Sequence, residues 1–130
     1  MEGEQPVIPT LVVGPEPQSI GAVRRFVAST VDPSSPRLGD VEVMTSELVA
    51  NAVAHASTPV TVRVVAHDGR TRVEVHDDDP NPPLPQAPSL DLRTGRGLAI
   101  VEALSDDWGY SPVEGDGKVV WFEVGLDVNW

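Results

Sequence analysis

The stretch Ser46-Glu47-Leu48-Val49-Ala50-Asn51-Ala52-Val53-Ala54-His55 decides how this chain is read. It has the pattern of a helix and sets an acid, an amide and an imidazole at successive i, i+4 positions, so Glu47, Asn51 and His55 share one stripe. The flanking Val41, Met44, Leu48, Val49, Ala52 and Val53 are apolar on nearly every side, which predicts a buried helix. Polar groups on a buried helix need partners. Protein groups can satisfy any one of the three. For all three in register, a polar ligand or a metal ion is the more economical account.

Two further segments belong with it. Thr71-Arg72-Val73-Glu74-Val75-His76-Asp77 alternates with period two, placing Val73, Val75 and Asp77 on one face and Arg72, Glu74 and His76 on the other. A carboxylate on a core-facing position is costly unless it accepts hydrogen bonds there, and an amino group on a ligand is one candidate donor. The alternative is a strand that ends at Val75, with Asp77 opening a solvated turn. The third segment, Thr94-Gly95-Arg96-Gly97-Leu98, precedes a helical pattern of Leu98, Val101, Leu104 and Trp108. Glycines at a helix start let backbone N–H groups approach an anion, which the helix dipole favours, although glycine also serves ordinary turns.

Taken in order, Glu47-Leu48-x-x-Asn51-Ala52, Val75-x-Asp77 and Gly95-Arg96-Gly97-Leu98 resemble the N, G1 and G2 boxes of the GHKL (Bergerat-fold) ATPases. Within that superfamily the chain is most similar to the small anti-sigma-factor serine/threonine kinases of bacterial partner switching. The likeness runs from about Ser19 to Val124 and includes the ending Gly117-Lys118-Val119-Val120-Trp121-Phe122-Glu123. The resemblance implies that Asn51 coordinates the Mg²⁺ bridging the ATP phosphates and that Glu47 is the general base for the attacking hydroxyl. It implies that Asp77 accepts a hydrogen bond from the adenine amino group and that the Gly95, Arg96, Gly97 and Leu98 turn cradles phosphates. His55 takes a supporting role beside the triphosphate. The chemistry is consistent with these roles: Mg²⁺ prefers hard oxygen ligands and keeps several waters, so one amide oxygen plus phosphate oxygens suffices. Phosphoryl transfer asks mainly for positioning and charge neutralisation, with a carboxylate placed at the nucleophile. Arg93 and Arg96 are the nearest cations in sequence for the developing charge, unless they simply solvate the loop.

Two positions depart from the family pattern. Asp79 stands where many relatives have glycine, within Asp77-Asp78-Asp79, and three carboxylates beside a polyphosphate repel it. Val119 stands where relatives usually place a threonine that supports the adenine contact; one lost hydrogen bond costs ~1 kcal/mol, about fivefold in affinity. Both predict weakened nucleotide binding.

Composition frames this reading. A chain of 130 residues suffices for one domain with a real core, and the absence of cysteine removes disulfides, thiolate metal sites and thiol nucleophiles. His55, His67 and His76 show no His-Glu-x-x-His spacing. The net charge of −11, with one lysine among nine basic residues, argues against direct nucleic-acid binding and suits protein partners. The first residues lack a signal-peptide pattern and no apolar run is long enough to span a bilayer, so a cytoplasmic protein with no membrane association is expected.

Along the chain, residues 1–9 are expected to be flexible and 10–130 to form the ATP-binding domain. Thr10–Val13 reads as a strand and the region from Ser19 as an amphipathic helix ended by Asp32-Pro33. The Glu47 helix stops near Pro59. Val60–Ala66 and Thr71–Asp77 form a hairpin around His67-Asp68-Gly69, and Trp108–Val113 with Lys118–Leu126 form a second around Gly115-Asp116-Gly117. The five prolines between Pro80 and Thr94 mark a loop where the family places its ATP lid.

The expected fold is a two-layer α/β sandwich of the Bergerat type, a mixed sheet with helices on one face. The expected activity is ATP- and Mg²⁺-dependent phosphorylation of a STAS-domain anti-anti-sigma protein on Ser or Thr, with a sigma factor as the alternate partner and a homodimer as a possible state. A histidine kinase is disfavoured because no helix bearing a phosphoacceptor histidine precedes the ATPase region. The main alternative is a binding module that sequesters a regulatory protein, with or without ATP, and has lost phosphotransfer. A structural interaction domain without a nucleotide site must treat three ordered motifs as coincidence.

Overall fold

The structure is a computed structural model that describes residues 8–31, 34–55, 59–67, 69–79, 92–113 and 117–125, with the backbone alone for 55, 67 and 92–97. Residues 1–7 of the expected N-terminal tail 1–9, and residues 80–91 of the loop expected from Pro80 to Thr94, lie outside these residues; Leu92, Arg93 and Thr94, expected in that loop, are helical.

Eight elements follow in the order β1 (Thr10–Val13), α1 (Ser19–Thr30), α2 (Leu38–His55), β2 (Val60–His67), β3 (Arg70–Asp77), α3 (Leu92–Leu104), β4 (Asp107–Pro112) and β5 (Lys118–Gly125). The strands make one sheet in the order β1-β2-β3-β5-β4. Among the described residues all four pairings are antiparallel, so the expected mixed sheet is corrected to an antiparallel one. The cause is connectivity. The β2–β3 and β4–β5 links are hairpins, which force opposed directions, and the α3 crossover delivers β4 to the far edge so that β5 returns between β4 and β3. In the first hairpin His67 pairs with Arg70, and Gly69 in the turn between them takes φ +75°.

Register divides each strand into two faces. Val62 opposes Val75, Val64 opposes Val73, Val73 opposes Phe122 and Val75 opposes Val120, and all of these are buried beneath the helices. β-branched side chains suit this pleated, covered surface. Val23 and Val27 of α1, Val41, Met44, Leu48 and Val49 of α2, and Leu98 and Val101 of α3 close the core from above. α2 is the central helix, packed between α1 and α3 and against β2 and β3. Arg37, just before it, donates to the Leu104 carbonyl at 2.6 Å and pairs with Asp40 and Asp106, tying the start of α2 to the end of α3.

The opposite sheet face carries the alternate residues, as the period-two pattern of β3 requires. Arg72 donates to Glu123 at 2.7–2.8 Å and lies 4.1 Å from the centroid of the Trp121 ring, whose far edge overhangs Gly109. Arg63 and Arg72 also approach Glu74 at 3.9 and 3.8 Å.

Candidate functional site

α2 brings Glu47 and Asn51 onto one edge of the helix, between the face buried on the sheet and the exposed Val43 and Ala54. Both are half-buried, and neither side chain makes a hydrogen bond or ion pair among the described residues. On the same helix the buried Thr45 and Ser46 hydroxyls also have no hydrogen-bond partner among the described residues. A third buried hydroxyl without a described partner, Ser105, lies just beyond α3, so Glu47 and Asn51 are singled out by their shared, half-buried edge of α2. His55 is the last residue of α2, in line with the stripe; its side chain lies outside the description.

Asp77 closes β3 on the inner face and is 2% exposed, so the strand does not end early and its carboxylate faces the core. Its Oδ1 accepts from the Asp79 backbone N–H at 2.8 Å and from Lys118 Nζ at 3.1 Å. Among the described residues its Oδ2 carries no hydrogen bond, which leaves one acceptor free. A buried carboxylate with a free oxygen fits a ligand amino group.

Lys118 is the residue that sequence reasoning missed. Val119 was the expected neighbour of the adenine contact; it pairs with His76 on the outer face, and the residue opposite Asp77 is Lys118. Strand faces alternate, so a register difference of one residue exchanges the two sides of the sheet. The lysine is 5% exposed and also donates to the Asp79 carbonyl oxygen at 3.1 Å, with Asp79 Oδ2 at 4.0 Å. Of the three carboxylates expected to repel a polyphosphate, Asp77 and Asp79 thus have one ammonium beside them, at 3.1 and 4.0 Å. A signal was present: Lys118 is in phase with Val120, Phe122 and Val124, and a lysine in phase with a core needs a carboxylate opposite it.

Gly117 seats this corner. It has φ +81°, and a Cβ there would collide with the Asp77 carbonyl oxygen and come within 2.5 Å of Asp78 Cα. Gly117→Ala is expected to destabilise the domain by at least ~1–2 kcal/mol from the left-handed backbone alone, before the collision is relieved. A urea midpoint unchanged from wild type would show that the close approach is not required.

The third motif differs in form from its expectation. Gly95, Arg96, Gly97 and Leu98 were expected as a turn preceding a helix; they lie inside α3, which starts at Leu92. Only the N–H groups of the cap and the first three helical residues lack internal partners, so with Leu92 as the first helical residue Gly95, Arg96, Gly97 and Leu98 all lie beyond the free set. Leu98 packs into the core at 4% exposure. Glycine signals a turn or a tolerated helix position equally well, each interior glycine costing ~1 kcal/mol relative to alanine.

A central helix whose acid and amide have no partner among the described residues lies beside a strand that ends in a buried carboxylate, over an antiparallel sheet, and the whole forms an α/β sandwich. Residues 13–124 match the histidine kinase-like ATPase domain, and the chain belongs to that family. It is 38% identical over 80 residues to an uncharacterized protein of Streptomyces coelicolor, covering 58% of this chain and 75% of that one. Two solved histidine kinases share the fold. The histidine kinase domain of the Erythrobacter litoralis EL346 blue-light activated histidine kinase superposes with TM-score 0.56 at 19% identity, over 85% of this chain and 60% of that one. The Acinetobacter baumannii histidine kinase AdeS superposes with TM-score 0.58 at 12% identity, over 98% and 72%. This chain thus spans less than two thirds of the first of these structures. Among the described residues no helix is long and apolar enough to cross a membrane.

Proposed function

We propose that this domain is an ATP- and Mg²⁺-dependent protein serine/threonine kinase of the anti-sigma type, acting in the cytoplasm on a STAS-domain anti-anti-sigma protein and exchanging it for a sigma factor. The observation that carries the reading is the half-buried Glu47 and Asn51 pair, one helical turn apart and without a protein partner among the described residues.

The residues present fit the nucleotide. ATP supplies the phosphoryl group that is transferred, and Mg²⁺ neutralises its charge. The Asn51 amide oxygen is a hard, neutral ligand for that ion and adds no negative charge beside the phosphates. Asp77 accepts the base amino group through Oδ2. Glu47 accepts the proton of the serine or threonine hydroxyl as its oxygen becomes a nucleophile, and Arg93 and Arg96 are the cations in sequence reach of the phosphates.

Mg-ATP at ~100 times its Kd should stabilise the protein by about 2.7 kcal/mol if it binds only the folded state, read as a rise in melting temperature. Incubation with Mg-ATP and a STAS-domain partner should then yield phosphoserine or phosphothreonine, detected by mass spectrometry. No binding by calorimetry at millimolar ATP would overturn the nucleotide reading. Binding of both ATP and partner without phosphate transfer would establish a sequestering module instead. One observation favours that second reading: α3 runs through Gly95–Leu98, so its amides beyond the first four are committed within the helix.

A further inference from the structure

We infer that Lys118 is a base-reading residue, its ammonium donating directly to the ring nitrogen N1 of adenine while Asp77 takes the adjacent amino group. The inference rests on the nucleotide reading above and deepens it.

Hydrogen-bond capacity carries the argument. A lysine ammonium has three donors and no acceptor; an ionised carboxylate has two acceptor oxygens and no donor. Lys118 Nζ uses one donor on Asp77 Oδ1 and one on the Asp79 carbonyl oxygen, both at 3.1 Å. No other hydrogen bond to Nζ exists among the described residues, so one N–H remains. Asp77 uses Oδ1 twice, for Lys118 and for the Asp79 N–H, and keeps Oδ2. Both side chains are nine-tenths or more buried, at 7% and 2% exposure, and are held by the Asp77–Lys118 register pair and by the Gly117 backbone against Asp77. The corner therefore holds one unused donor and one unused acceptor on neighbouring, buried side chains, with Asp79 Oδ2 4.0 Å from the ammonium.

Adenine offers the complement on one edge: an exocyclic amino donor next to the N1 acceptor. Guanine has the reverse order there, a carbonyl acceptor next to an N–H donor. Asp77 facing the amino group sets the order for adenine and leaves Lys118 facing N1. A buried polar group left without its counterpart discriminates strongly between otherwise identical ligands.

Calorimetry on the wild-type protein with Mg-ATP, Mg-1-deaza-ATP and Mg-GTP tests the contact. The 1-deaza analogue keeps the amino group and replaces N1 by C–H. It should bind about 10–100-fold more weakly than ATP, the range for a hydrogen bond from a charged donor, and GTP should bind more weakly than ATP. In Lys118→Met the difference between ATP and the 1-deaza analogue should collapse to within about twofold, the ratio and not the absolute affinity being the readout. Equal affinity of the wild type for ATP and 1-deaza-ATP overturns the contact and leaves the nucleotide reading standing. Tighter binding of GTP than of ATP overturns it by showing that the pair reads guanine. Failure of all three to bind overturns the nucleotide reading itself. Should Lys118→Met not fold, Lys118→Arg, which keeps a cation opposite Asp77 but changes donor geometry, takes its place: a changed ratio of ATP to 1-deaza-ATP affinity supports the contact, and a ratio equal to wild type overturns it.

Discussion

Glu47→Ala is expected to slow the proposed phosphate transfer to a STAS-domain partner by about 10²–10⁴-fold, the range for loss of a general base, while Mg-ATP affinity stays within a few-fold of wild type. The separation follows from where the residue acts. Glu47 has no hydrogen-bond or ion-pair partner among the described residues, so its removal leaves no described group unpaired, and its proposed contact is with the incoming hydroxyl. It is half-buried at the edge of α2, not in the core, so truncation opens no packed cavity. Asn51→Ala differs because the amide is proposed to hold the metal that travels with the nucleotide; it should weaken both ATP binding and transfer. Single-turnover phosphorylation alongside calorimetry separates the two. A Glu47→Ala protein that still phosphorylates at near wild-type rate would remove Glu47 from the chemistry.

The second large effect concerns stability. Lys118→Met is expected to cost about 3–5 kcal/mol because it leaves Asp77 buried without its counter-ion, and Asp77→Leu somewhat less, because Asp79 Oδ2 stays 4.0 Å from the ammonium. In a domain whose total stability is of order 5–15 kcal/mol, either loss is large. The double variant should cost less than either single one, since an apolar pair of similar volume removes both desolvation penalties. Urea unfolding of the four proteins reads the cycle directly. Additive losses would mean that the two side chains act independently despite their 3.1 Å separation.

Much of the fold was legible locally. The limits of β1, the start of α1 and both hairpins follow from short periodic runs bounded by proline and glycine, and the observed elements fall within two residues of them. The inward aim of Asp77 came from its phase with Val73 and Val75. What was not legible is pairing at long range. No local pattern states that β5 lies against β3, or in which direction, so the expected mixed sheet failed there, and the residue opposite Asp77 is found to be Lys118, with Val119 opposite His76. Lys118 was visible as a lysine in phase with the core, but its counter-ion lies 41 residues away and is found only once the register is known. The start of α3 was misplaced for a different reason: Gly95 and Gly97 suit a turn by intrinsic preference, while Leu98 and Val101 anchor a longer helix through burial.

The antiparallel order β1-β2-β3-β5-β4 also dictates when the base-contacting corner comes into existence. Hairpins such as β2–β3 and β4–β5 close over short loops within microseconds, whereas joining β3 to β5 must first close the whole segment between Asp77 and Lys118. A chain with every helix and both hairpins formed, but with β3 and β5 still apart, has normal secondary structure and no Asp77–Lys118 pair. Time-resolved refolding should therefore show circular dichroism recovering ahead of nucleotide binding, and the nucleotide becomes a ligand for the finished sheet alone.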